Sequence, residues 1–127
     1  MNTPRLLILS LLLTGAVQAG TRYEVKCTDS QCGFVSSIGI GGGMRFEEAS
    51  GYCKKCDAMV SVTWKRGEKK QPLLLEVWDA LAGRARRIFR CPKCEAPFLK
   101  VDQIAELRHC PKCGKESLKT KRTLLYD

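Results

Sequence analysis

A chain of 127 residues is long enough for one ordinary domain or two very small ones. Its eight cysteines fall into two sets of four, and each set with its flanks spans under ~40 residues, where apolar burial alone seldom offsets chain entropy. A fold held only by a hydrophobic core is thereby excluded for either half, while a formal charge of +9 keeps acidic partners in view.

The first segment, "MNTPRLLILSLLLTGAVQA", has one cation (Arg5), an apolar run from Leu6 to Leu13, and a small-residue exit at Val17-Gln18-Ala19. These are the three parts of a secretory signal peptide, so residues 1–19 are expected to be removed after Ala19. The apolar stretch from Leu6 to Val17 is twelve residues, short of the ~20 that cross a bilayer. No stable membrane span is expected after cleavage, and the expected location is periplasmic or secreted.

Residues 20–66 form the first expected module. "TRYEVKC" alternates Tyr23, Val25 and Cys27 on one face, as a half-buried strand does. Cys27 and Cys32 follow a C-x4-C spacing, with Gly33 next. "GFVSSIGIGGGMRF" sets two apolar runs around Gly39, Gly41, Gly42 and Gly43. Such a cluster can cradle a phosphate, but it has neither the G-x-G-x-x-G order nor the G-K-[ST] ending, and it reads as a hairpin loop. Cys53 and Cys56 then form a C-x2-C pair, and "AMVSVTW" is another strand.

Residues 67–87 read as a connector. "KRGEKK" turns the chain at Gly67. "QPLLLEVWDALAG" predicts a helix: Pro72 suits the first helical position, Leu74, Val77, Trp78 and Leu81 recur at i, i+3, i+4, i+7, and Gly83 stands where a helix stops. A helix this short is unstable alone in water, so it is expected to dock as a brace between the modules, with a recognition helix presenting Leu74 and Trp78 as the alternative. "RARRIFRC" places Arg84, Arg86, Arg87 and Arg90 ahead of the third cysteine pair.

Residues 88–127 are the second module. Cys91, Cys94, Cys110 and Cys113 follow C-x2-C-x15-C-x2-C, a spacing that reads as a zinc site. A C-x2-C turn aims two sulfurs at one cation, and two such turns complete a tetrahedron. "FLKVD", "AELRHC" and "SLKTKRTLLY" alternate as three strands.

"CPKCEAPF…RHCPKCGKESL" resembles a zinc ribbon, of the rubredoxin-like four-cysteine kind, and "YEVKCTDSQCGF" resembles the opening strand and first knuckle of another. The resemblance implies two ribbons, each a small antiparallel β-structure around one zinc. It would place one ion on Cys27, Cys32, Cys53 and Cys56 and a second on Cys91, Cys94, Cys110 and Cys113. The expected fold is therefore small, metal-bound and mainly β, two zinc ribbons braced by one short helix. Iron is the minor reading, since no Gly follows Cys94 and aromatic residues are few around the second set.

Disulfides remain a rival, because exported chains with an even cysteine count normally form them. Yet closing a C-x2-C ring removes only about 2 kcal/mol of unfolded-state entropy, against ~10–16 kcal/mol apparent for a structural zinc. Dithiol catalysis needs a thioredoxin-like βαβ context that is not legible, and haem attachment needs a His after C-x2-C where Asp57, Glu95 and Gly114 stand. His109, the one histidine, is expected to be a strand or surface residue rather than a ligand.

Without Arg5 the charge is +8, and two four-thiolate zinc sites, each net −2, bring it to about +4. That weakens nucleic-acid binding, although Arg84, Arg86, Arg87 and Arg90 with Lys65, Arg66, Lys69 and Lys70 can form a basic face. Glu47-Glu48 is the one adjacent carboxylate pair, and no catalytic triad is legible. The leading expectation is an exported, non-enzymatic protein with two structural zinc ions that supports docking of another protein. Nucleic-acid binding is the alternative if residues 1–19 are not a working signal, and zinc buffering or redox sensing at the wider first site is a third reading.

Overall fold

The computed structural model of the chain describes residues 20–126. The expected signal segment, residues 1–19, lies outside them. Eight strands follow one another: β1 (Gly20–Cys27), β2 (Val35–Ile40), β3 (Phe46–Cys53), β4 (Ala58–Lys65), β5 (Leu73–Asp79), β6 (Arg84–Arg90), β7 (Pro97–Leu99) and β8 (Leu118–Tyr126). They form three antiparallel sheets with strand orders β2-β1-β8, β3-β4 and β5-β6-β7.

The alternation read in "TRYEVKC" and "AMVSVTW" is realised: Val25 and Cys27 of β1 and Val60 and Trp64 of β4 point into the core. The bracing helix is not. Leu73–Asp79 is β5, an edge strand, and the one helical piece among the described residues is a 3-10 turn at Ile104–Glu106. An isolated helix of that length has little stability of its own, so a tertiary alternative decides. Here β6 offers β5 an antiparallel ladder along its length, with one irregularity between Leu73 and Leu75. The Asp79 carboxylate accepts the N–H groups of Leu81 (3.0 Å) and Ala82 (3.1 Å), and Gly83 at φ 65° closes the turn. A side-chain-capped turn of this kind competes directly with helix, and the glycine that reads as a helix stop serves it equally well.

The second module also differs from expectation. "FLKVD" contributes only the short β7, and "AELRHC" carries the 3-10 turn instead of a strand. "SLKTKRTLLY" is β8, but it pairs with β1 from the other end of the chain, Cys27 opposite Leu118 and Thr21 opposite Leu125. Sheets β3-β4 and β5-β6-β7 each form from neighbouring segments, whereas β2-β1-β8 joins the two ends of the described chain.

Two apolar clusters fill the interior. One joins Ala49, Val60, Trp64, Phe89 and Phe98 with Cys53 and Cys91. Its rings stack in series, Trp64 on Phe89 at 5.4 Å and Phe89 on Phe98 at 6.1 Å between centroids, each such pair adding about 0.5–1.5 kcal/mol beyond area burial. The other joins Val25, Phe34, Ile38 and Val101 with Cys27 and Cys110, and Tyr52 reaches it from β3, edge-on to Phe34.

Strand β3 lies between the clusters and is covered on both faces, from Glu48 through Gly51. Ser50 carbonyl accepts the Val101 N–H at 2.8 Å, and at Gly51 a Cβ would sit 2.1 Å from the Leu99 carbonyl oxygen. Only glycine lets β3 cross the β7 backbone this closely. Gly51→Ala is expected to lower the stability of the metal-loaded protein by about 1–3 kcal/mol through overpacking, read as a shifted denaturant midpoint; an unchanged midpoint would contradict this crossing.

Candidate metal centres

Each cysteine pair sits where a strand ends. Cys27 closes β1 and Cys32 precedes β2; Cys53 closes β3 and Cys56 precedes β4; Cys91 follows β6 and Cys94 precedes β7; Cys110 and Cys113 precede β8. The chain thus presents four knuckles, and the fold sorts them in a nested way. Cys27, Cys32, Cys110 and Cys113 come together in one group, and Cys53, Cys56, Cys91 and Cys94 in another, with all four sulfurs of each group within 4.8 Å of one another. The expected grouping by chain order is corrected here: the first knuckle joins the fourth, the second joins the third.

The reason lies in strand pairing. Because β8 runs beside β1, Leu118 stands opposite Cys27, and the Thr28 N–H donates to the Ser117 carbonyl at 2.7 Å. The knuckle that leads into β8 is thereby laid on the knuckle that leaves β1. In the inner group, Phe89 of β6 and Phe98 of β7 pack on Ala49, Val60 and Trp64 of the β3–β4 hairpin. That contact sets the two hairpin turns tip to tip.

A shared backbone geometry shapes the knuckles. The residue after the second cysteine is left-handed in all four: Gly33 (φ 64°), Asp57 (φ 50°), Glu95 (φ 62°) and Gly114 (φ 75°). In the third and fourth, the N–H of that residue donates to the carbonyl of the first cysteine, Glu95 to Cys91 at 2.9 Å and Gly114 to Cys110 at 2.7 Å. In the first, Gly33 donates to Asp29 at 3.4 Å. Asp29 therefore takes the backbone place of a first cysteine, and the C-x4-C spacing is the same turn with its sulfur supplied from two residues earlier, at the end of β1.

The sulfur separations fit a tetrahedral ion. Cys27 to Cys113 is 3.8 Å, Cys32 to Cys110 is 3.7 Å, Cys53 to Cys94 is 3.5 Å and Cys56 to Cys91 is 3.8 Å. Four thiolates at about 2.3 Å from a common centre, the zinc–sulfur length, stand about 3.8 Å apart in a regular tetrahedron. A disulfide brings its sulfurs to about 2.05 Å, and all eight cysteines are unbridged. Both groups are consistent with zinc ribbon-like sites, and each can hold one metal ion.

Electrostatics divide the thiols. Burial raises the Cys91 thiol, but the backbone N–H groups of Cys94 and Lys93 outweigh it and hold it at about 7. The Lys115 N–H lowers Cys113 against burial, also to about 7. Cys32 is pushed up to about 12, first by burial and then by its neighbouring thiols. Cys56 reaches about 12 through its hydrogen bond with Cys94 and through burial. Without a cation, burial and the neighbouring thiols keep Cys32 and Cys56 protonated, an effect that a divalent ion among the sulfurs removes.

Residues beyond the cysteines brace the cages. Ser117 Oγ lies 3.0 Å from Cys27 Sγ, and Lys115 pairs with Asp29 across the outer group. That contact lowers the Asp29 carboxyl and raises the Lys115 ammonium. Tyr52 hydroxyl donates to the Asp57 carboxylate, fixing the left-handed residue of the second knuckle. Sequence reasoning missed Asp29, although D-x-x-C-G at 29–33 repeats the C-x-x-C-G of 110–114 and was the available signal. His109 is exposed and stands outside both groups.

Two arginines of the basic segment are neutralised. Arg84 pairs with Asp102 and Glu106, and Arg86 with Glu106 at 3.1 Å and Asp79 at 3.5 Å. Glu47 pairs with Arg66 at 3.3 Å, and buried Glu48 with Arg22 at 3.6 Å. No family model, curated protein or solved structure matches this chain.

The nested grouping predicts a stoichiometry. Cys32→Ser combined with Cys113→Ser should leave one bound metal ion per chain, because both residues serve the outer cage; grouping by chain order would lose both ions, as native mass spectrometry would report.

Metal binding also requires thiolates. Below about pH 7 Cys91 and Cys113 are protonated, whereas between about 7 and 12 they are ionised and Cys32 and Cys56 still carry protons. Affinity in a chelator competition is therefore expected to rise with pH, and each site should release one proton fewer above pH 7 than below it. A pH-independent affinity would contradict this.

Proposed function

We propose that this chain is an exported, non-enzymatic zinc protein, with two structural ions and a surface that docks another protein. The observation that carries the reading is the pair of closed four-sulfur cages. Four thiolates saturate a tetrahedral ion and leave no position for water or substrate, unlike a catalytic zinc site. All-thiolate tetrahedra favour zinc or an iron–sulfur centre among biological metals. Zinc would supply no reaction chemistry here; it would join strand ends that are far apart in sequence. At ~10–16 kcal/mol apparent per structural ion, its contribution is as large as the ~5–15 kcal/mol net stability of an ordinary domain.

The docking surface is assigned to the β5–β6 hairpin. Leu75, Val77, Trp78 and Leu81 are exposed there, Trp78 at 71% and Leu81 completely. Strand β5 also lies at the edge of its sheet, with backbone groups available for pairing. Leu75 and Val77 share one face of β5 and Trp78 lies on the other, so apolar side chains flank the strand edge on both sides. Grouped exposed apolar residues mark an interaction site more often than an isolated exposed leucine does. Nucleic-acid binding is the weaker reading, because Arg84 and Arg86 are engaged by carboxylates. Export rests on the sequence of residues 1–19, and among the described residues no helix is long and apolar enough to cross a membrane.

Native mass spectrometry of protein taken from its own compartment is expected to show two zinc ions and, after chelation, eight free thiols. Four disulfides without metal would end the reading. For the docking face, a photo-crosslinker at position 78 should give a discrete heterologous adduct and the same group at exposed Glu116 none; equal labelling at both positions would overturn it.

A further inference from the structure

At the Glu47–Trp64 end of the β3–β4 ladder, away from the Cys53 end, lies a pocket of about 220 Å³ lined by Gly41, Gly42, Glu47, Glu48, Trp64, Arg66, Arg87 and Lys100. Trp64 is only 6% exposed, and its indole Nε1–H has no hydrogen-bond partner. A buried donor left unmade costs about 1–3 kcal/mol, so a group that accepts from it is strongly favoured.

The charges around the pocket point the same way. Glu47 is paired with Arg66 and Glu48 with Arg22. Lys100 Nζ lies 3.5 Å from Asp102, a carboxylate already engaged by Arg84. Among the described residues Arg87 has no carboxylate partner. The Lys100 N–H donates to the Arg87 carbonyl at 2.9 Å, which sets Lys100, just after β7, opposite Arg87 in the middle of β6. Burial first, and then the Arg87 charge, hold the Lys100 ammonium below the usual lysine range. With Glu47 and Glu48 each held in an ion pair, two adjacent, half-buried cations and an orphaned N–H donor are left on the pocket wall to face an added anion.

At Gly42 a Cβ would lie 2.4 Å from the Phe46 carbonyl oxygen, so the backbone is folded tightly here and carries no side chain.

We propose that this pocket binds an oxyanion, a phosphate or carboxylate group, which accepts a hydrogen bond from Trp64 Nε1–H and lies against Arg87 and Lys100. The glycine run that lacks a phosphate-loop pattern then serves as the lid of an anion site built mainly from side chains of β4, β6 and the segment after β7. The site needs no metal ligand and stands whether or not the cages hold zinc or the hairpin docks a partner.

The test uses metal-loaded protein carrying Trp78→Phe, so that Trp64 alone reports. Its indole ¹H–¹⁵N signal is followed during titration with inorganic phosphate, and separately with acetate, against matched sodium chloride. A saturable downfield shift with phosphate or acetate and none with chloride is expected, and the anion that saturates first assigns the class. Arg87→Gln and Lys100→Gln, checked for retained metal content, should each weaken the apparent affinity at least about tenfold, a change of about 1.4 kcal/mol. An unmoved Trp64 signal, an equal response to chloride, or full affinity in both variants would overturn the proposal.

Discussion

Everything in this molecule depends on sulfur cages that bind distant parts of the chain. The outer cage joins Cys27 to Cys113, 86 positions apart, and the inner one joins Cys53 to Cys94, 41 positions apart. A cross-link that closes a long loop removes more unfolded-state entropy than one closing a local turn, and here the shorter loop lies inside the longer. An ion on either cage is therefore a long-range constraint, and neither half of the chain contains a complete one.

The cages and the hydrophobic clusters are one construction. Cys53 and Cys91 belong to the cluster built on Trp64 and Phe89, and Cys27 and Cys110 to the one built on Val25 and Ile38. Strand β3 sits between the two clusters, with Gly51 allowing the β7 backbone to approach. Burial then shapes the electrostatics of the thiols, and backbone N–H groups decide which sulfurs ionise first. With so small an interior, packing and metal binding reinforce each other, as expected where a core alone is insufficient.

What remains outside the core is equally telling. Carboxylates at 79, 102 and 106 engage Arg84 and Arg86, and Asp102 also reaches Lys100, while Arg87 and Lys100 line the same pocket as an orphaned indole N–H. Trp78 and Leu81, whose spacing suggests a buried helical stripe, stand in solvent on the β5–β6 hairpin. The apolar residues available for function are those the fold did not use to close its own interior.

The sequence by itself determined what is local: cysteine turns able to take a metal, the β1 and β4 strands read from period-two alternation, and the turn at Gly67. Turn chemistry and side-chain alternation are properties of a few neighbouring residues, so they can be read without a partner. Which knuckle meets which, β5 in place of a helix, and the Asp29 backbone that accommodates C-x4-C were decided only by tertiary structure. Each depends on a surface brought from elsewhere in the chain: β8 beside β1, β6 beside β5, and aromatic packing between the β3–β4 and β6–β7 hairpins. Cysteine spacing carries no information about such pairings, because a tetrahedron accepts any two knuckles that the strands deliver.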